Sequence, residues 1–292
     1  MAAANLGSSW SIRSVEQIAE FHACEELQRD AWGFTGDLDI IPLTQMLAAQ
    51  KAGGVVLGAF EPEGRLLGFC YGFVGQRSDG EFLHYSHMLA VRGESQTAGV
   101  GAALKWAQRD AVLAQGIRHM VWTYDPLESK NGYLNFSKLG VVARTYFEDL
   151  YGQTSSGLHQ GIATDRVLAE WMLDSPRVDQ RRSAAASSGA KAFDASELLA
   201  APSILLADRD GDGRLVPQEV AAIPDDDTAR IEIPANIQTI KGDDVELAAD
   251  WRTATRTALT RALAAGFYVA ECTRLDGRTY YLMRRGAPDL DT

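Results

Sequence analysis

The chain has 292 residues, 46% hydrophobic and 23% charged, enough to bury a sizeable core in one large or two modest domains. Its 39 acidic against 28 basic residues give a net charge of −11, which argues against nucleic-acid binding and against docking on an anionic membrane surface. Cys24, Cys70 and Cys272 lack metal or redox spacing, the first residues lack a basic-then-apolar leader, and no apolar run approaches the ~18 residues that span a bilayer. A cytoplasmic setting is expected.

Apolar residues at helical spacing predict a helix over 15–29, capped by Ser14, and a second over 43–50 that stops at Gly53-Gly54. Strand-like runs at 55–60 and 66–74 are joined by the turn residues of 61–64, and an aromatic-rich strand covers 81–91. A glycine-bearing loop then leads into a helix over about 98–115, a strand at 119–124, a short helix at 131–139 closed by Gly140, and strands at 141–147 and 161–173. This order predicts one α/β (α+β) domain over 10–173, with a mixed, mostly antiparallel sheet flanked by helices. Residues 174–200 are rich in Ala, Ser and Gly and read as a flexible linker. A smaller C-terminal α/β module follows over 201–286. It has a strand at 230–237, a helix at 243–265 carrying Leu247, Trp251, Thr255, Leu259 and Leu263 on one face, and a hairpin over 267–283.

The loop Gln96-Thr97-Ala98-Gly99-Val100-Gly101 links a strand to a helix start, where unpaired backbone N–H groups and the helix dipole converge on an anion. A P-loop would follow its last glycine with Lys-Ser/Thr, whereas Ala102-Ala103 stands here. A dinucleotide fingerprint would need a third glycine within a parallel unit. The spacing Gln-x-x-Gly-x-Gly instead resembles the signature of the GNAT acetyltransferase superfamily. The phrases HYSHMLAV and WTYDPL, the Asn-Phe-x-x-Leu-Gly run and the later IEIP and ADWR segments are similar to those of a bacterial GNAT-like group.

The resemblance implies a GNAT-like sheet and an acyl-CoA-dependent N-acyltransferase that moves an acetyl group from acetyl-CoA to an amine of a small-molecule or other acceptor. Gln96, Thr97, Ala98, Gly99, Val100 and Gly101 would hold the pyrophosphate, with Arg92 adding attraction, and Leu89 and Val91 would pair with the pantetheine arm. The family's usual acid is a tyrosine four residues before a glycine. Counting back from Gly140 puts Phe136 there, which cannot donate a proton; Tyr133, one turn earlier, is the substitute candidate. A non-catalytic acyl-CoA-binding or regulatory protein is the reading Phe136 favours.

For a base, His84 and His87 lie on the strand entering the loop, and a difference of three points them to opposite faces unless a bulge intervenes. His87 is nearer the loop. Asp125, at the end of the 119–124 strand, is a candidate to orient the amine, and Glu81 is a further carboxylate. Trp122 and Tyr124 line either a pocket or the core; Arg252 and Arg256, one turn apart, either clamp an anion or face solvent.

Residues 208–219 fit the calcium-loop template, with Asp208, Asp210, Asp212, the carbonyl of Arg214 and Glu219 as ligands around Gly213. The pattern predicts Ca²⁺, and a calcium-stabilised interaction module as another reading. Pro202, Pro217 and Pro224 interrupt the helices such a loop requires.

Overall fold

The computed structural model describes residues 10–34, 36–95, 99–152, 161–186, 193 and 195–288. They form a mixed α/β architecture of mostly antiparallel sheet flanked by helices, as the sequence predicts. The chain divides into two compact units, Met1–Trp122 with Thr154–Gln160, and Thr123–Gln153 with Gly161–Thr292.

In the first unit, β1 (Ser11–Ser14), α1 (Ile18–Trp32), α2 (Leu43–Lys51), β2 (Val55–Phe60), β3 (Leu66–Gln76), β4 (Phe82–Val91), α3 (Val100–Leu113) and β5 (His119–Tyr124) follow in order, the last two residues of β5 opening the second unit. The strands lie in the order β1-β2-β3-β4-β5, antiparallel up to β4 and parallel between β4 and β5. Phe21, Leu27 and Met46 pack from α1 and α2 onto Phe69, Tyr71, Met88 and Ala90 of the sheet.

The β3–β4 ladder pairs Tyr71 with Met88 but Gly72 with Ser86, so His87 is an extra residue, a β-bulge. The bulge shifts the alternation. His84 and Ser86 reach Gln108 on α3, and a Cβ at Gly101 of α3 would touch Val91 and Leu89. Met88 and Ala90 join the cluster beneath α1 and α2. His84 and His87 still lie on opposite faces, since the phase changes only after His87.

The second unit contains α4 (Ser129–Gly132) running into a π-helix (Tyr133–Lys138), then β6 (Val142–Phe147), β7 (Arg166–Met172), α5 (Pro176–Ala186) and α6 (Ala195–Ala200). Next come β8 (Ser203–Leu205), β9 (Ala207–Arg209), β10 (Leu215–Pro217), β11 (Thr228–Ile233), α7 (Ile237–Asp243), α8 (Val245–Ala264), β12 (Phe267–Leu275) and β13 (Arg278–Arg285). Its strands run β7-β6-β12-β13-β11-β8, and β9-β10 forms a separate hairpin. The Asp244 carboxylate caps α8 by accepting the Leu247 N–H at 3.0 Å.

Two expectations change here. Residues 176–186 of the expected linker form α5, which buries Val178 and places Arg177 and Arg181 on the buried Glu271 carboxylate, while 187–192 and 194 lie outside the described residues. The compact units also part after Trp122 rather than near 173, because β6 pairs with β7 on one side and meets β12 on the other. Period-based reading cannot see that pairing.

Candidate functional site

The parallel β4–β5 ladder consists of His84↔Met120 and Tyr85↔Val121 and stops there. β4 runs on to Val91 beside β3 alone, so the backbone edge that β5 would occupy is free of strand partners from Ser86 onward, among the described residues. A 3-10 turn, Gly93–Ser95, leads toward α3, whose first N–H groups have no acceptor within the helix. Gly99 caps α3 in the left-handed region at φ +76°, where only glycine is unstrained. A Cβ at Gly101 would make ordinary contacts of 3.6 and 3.9 Å with Val91 and Leu89, so packing alone does not demand glycine there. Val100 is buried, whereas Gln96, Thr97 and Ala98 lie outside the described residues. Arg92 donates Nε–H to the Leu66 carbonyl at 2.7 Å and stands 3.5 Å from Asp30.

His87 sits where the two strands part. Its exposed ring lies 6.0 Å from Tyr71, 6.1 Å from Phe73 and 6.0 Å from Tyr85, centroid to centroid. Desolvation by this surround lowers its pKa below the ordinary 6.5, favouring the neutral imidazole. Glu81 is exposed beyond the start of β4.

On the opposite face, beneath α3, lies a polar cluster that sequence reasoning missed. Lys105, 2% exposed, donates to Ser86 Oγ at 2.9 Å and stands 3.5 Å from the Trp122 ring centroid. Ser86 donates to Gln108 Oε1 at 2.8 Å, and the Gln108 amide lies 3.3 Å from His84 Nε2. Gly72 makes room for this, because a Cβ there would collide with His84 Nε2. Burial pushes the Lys105 ammonium down to about 7; burial and then Lys105 push His84 down to about 4. His84 is therefore a neutral, buried structural histidine. The signal in the sequence is that Lys105 and Gln108 fall on the core face of α3 beside Val100, Leu104 and Val112.

In the second unit, Asp125 is buried and held from two sides. Oδ1 accepts the Leu127 N–H at 2.8 Å and Oδ2 accepts Arg252 Nη2 at 2.5 Å. A substrate amine expected there would have to share the carboxylate with these donors. Arg252 is buried and Arg256 clamps Asp165 at 2.7 and 2.6 Å, so neither belongs to a merely solvated helix face. Phe136 is buried, edge-on to Tyr124 and Tyr281 at 6.1 and 5.8 Å. Tyr133, the first residue of the π-helix, is 43% exposed and sits under the Lys138 ammonium. Trp122 and Tyr124 are core; the Tyr124 and Tyr281 hydroxyls bond at 3.1 Å, and burial raises both well above 10.

The calcium expectation is also corrected. Residues 207–217 form the β9–β10 hairpin, not a helix–loop–helix. Asp210 accepts the backbone N–H groups of Asp212 and Arg214 to close the turn, and the Arg214 guanidinium bonds Asp210 at 2.8 Å and Asp244 at 2.9 Å, where a cation would have to sit. Gln218 holds Asp208. Among the described residues no group of three or more His, Cys, Asp or Glu is placed to hold a metal, Asp212 and Glu219 included. No described helix is long and apolar enough to cross a membrane.

No family model matches the chain, and no curated protein matches it. Solved structures similar to part of it include the ribosomal-protein-S18-alanine N-acetyltransferase from Escherichia coli, at 16% identity over 56% of this chain and 94% of that one, TM-score 0.45. An N-acetyltransferase from Staphylococcus aureus Mu50 gives 17% identity over 57% and 100%, TM-score 0.45. A GNAT superfamily phosphinothricin acetyltransferase from Sinorhizobium meliloti, in complex with AcCoA, gives 17% identity over 56% and 88%, TM-score 0.46. Similarity at this level leaves the chain's own residues to decide its chemistry.

Proposed function

We propose that the chain is an acyl-CoA-dependent N-acyltransferase of GNAT type. The observation that carries this reading is the free edge of β4 from Ser86 to Val91, which runs through a short turn to the N-terminus of α3. An extended polar chain ending in a pyrophosphate matches that combination. Its amides would pair with the backbone at Leu89 and Val91 as an added strand does, and its phosphates would take the N–H groups from Gly99 to Gly101, with Gln96, Thr97 and Ala98 completing the loop. Acetyl-CoA, when bound, supplies the activated acyl group. His87, neutral at physiological pH and exposed where the strands part, takes the proton of the attacking amine. With Phe136 in place of an acid, solvent protonates the departing thiolate, which a thiol pKa of roughly 8.5 allows. The acceptor is an amine of a small molecule or a protein.

A non-catalytic acyl-CoA binder is the second reading, favoured by the buried Phe136 and the outward Tyr133. Thermal unfolding with acetyl-CoA and with free CoA at millimolar concentration tests both, because a ligand of the folded state must raise Tm. No shift with either compound removes both readings. A shift without thiol release across a panel of amines leaves the binder.

A further inference from the structure

The face of β3 and β4 turned away from α3 carries three aromatic rings around His87. Tyr71 and Phe73 flank Gly72 on β3, Tyr85 and His87 flank Ser86 on β4, and Phe73 pairs with Tyr85 across the ladder. Phe73 and Tyr85 stack at 5.5 Å and 23°, while Tyr71 meets the His87 ring edge-on at 6.0 Å and 87°. Tyr71 is buried in the cluster beneath α1 and α2. That cluster does not extend to Phe73, which is 37% exposed, and His87 is exposed beside it.

Where a sheet face meets water it is ordinarily polar. Here it stays aromatic up to the point where β4 parts from β5, which is how a site for an apolar group differs from plain surface. The bulge belongs to the same feature. It puts His87 and Met88 consecutively on this face and so aims the imidazole among the rings. Desolvation is what lowers the His87 pKa, with no charged group contributing. A ligand resting there meets ring faces, ring edges and an uncharged imidazole. A carboxylate or a sugar would lose its hydration with nothing to replace it. A flat aromatic ring extends the stack in the offset or edge-on geometry that such rings prefer.

We propose that the acceptor is an amine carried on an aromatic ring by a short aliphatic arm, with the ring against Phe73 and Tyr85 and the amine at His87. This rests on the acyl-CoA-dependent reading and adds the substrate class to it. The free amine nitrogen forms the C–N bond of the amide as the thioester C–S bond breaks. His87 takes the proton that the nitrogen gives up, and solvent protonates the departing thiolate. Phe73 sets specificity and takes no part in the proton transfer.

The test uses the full chain with phenethylamine and cyclohexylethylamine, which share arm and charge and differ in the ring. The cyclohexyl group carries more apolar surface, so burial alone favours it and only ring–ring contact favours phenyl. Each amine is titrated while the His87 Hε1 resonance, assigned through His87→Gln, is followed, and acetyl-CoA is titrated separately by thermal unfolding. Phenethylamine should shift His87 saturably and bind about fivefold tighter than cyclohexylethylamine, with kcat/KM in the same order. Phe73→Leu keeps an apolar side chain at an exposed position and should erase the preference. Equal or reversed affinities, no saturable shift of His87, or an undiminished preference in Phe73→Leu would each overturn the aryl assignment. No acetyl-CoA shift, or no thiol release with a bound aryl amine, instead removes the acyl-transfer reading and with it the amine's role as acceptor.

Discussion

Lys105 ties the stability of the first unit to pH, and one substitution isolates the effect. Burial lowers its pKa to about 7 from the ordinary 10.5, so between those values the unfolded chain holds a proton there that the folded chain lacks. The penalty on folding is complete below the lower value and fades as pH rises to the upper one. Each pH unit inside the window changes the balance by about 1.4 kcal/mol, so between about pH 7.5 and about 9.5 the folded state gains about 2–3 kcal/mol from this group. Lys105→Met keeps an unbranched side chain and removes the proton. Ser86 loses one donor but keeps its own bond to Gln108, a cost of about 1 kcal/mol. His84, which Lys105 also shifts, is uncharged in both folded proteins across this window, so the pH dependence of the difference in unfolding free energy reports Lys105. Urea unfolding at a series of pH values should find the variant as stable as wild type or more so near about pH 7.5, with wild type improving against it by about 2–3 kcal/mol by about pH 9.5. A difference that stays flat across that range refutes the assignment of a neutral buried amine.

Gly99→Ala places a Cβ in open space but at φ +76°, and should cost about 1–2 kcal/mol from backbone strain alone; Gly101→Ala meets only ordinary contacts and should leave Tm unchanged or raise it, by up to about 1 kcal/mol of helix propensity. His87→Ala should lower kcat about 100-fold while calorimetry finds acetyl-CoA affinity unchanged. In wild type kcat/KM should fall as pH drops through a value below 6.5, since the base must be unprotonated and its surround lowers the pKa; unchanged turnover removes His87 from the reaction. Asp125→Ala leaves Arg252 and Arg166 buried without their carboxylate and should destabilise the second unit by about 3–5 kcal/mol in denaturant unfolding, whereas a loss below about 1 kcal/mol would show the pair to be solvated.

Much of the architecture is local and was legible. The helical spacing of α1, α2 and α8, the stops at Gly53-Gly54 and Gly266, and the turns between β2 and β3 and between β12 and β13 all follow from period and turn chemistry. Gly99 falls inside the helix expected over about 98–115, and only the structure makes it the left-handed residue before α3, where glycine is favoured. The calcium template failed because its residues record only that acidic side chains and glycines recur at turn spacing, which a hairpin closed by Asp210 satisfies equally well.

What the sequence determined by itself is therefore most elements of the first unit, with α8 and the β12–β13 hairpin of the second, and the backbone loop toward which the acyl-CoA reading points. Tertiary structure decided everything that depends on what is brought opposite. The bulge at His87 exists only in register with Tyr71 and Gly72; Lys105 becomes an unusual amine only under α3 against Ser86 and Trp122; Asp125 meets Arg252 from 127 residues away. Periodicity reports which residues share a face. Burial of charge is a property of the partners that face encloses, and those are set by the fold.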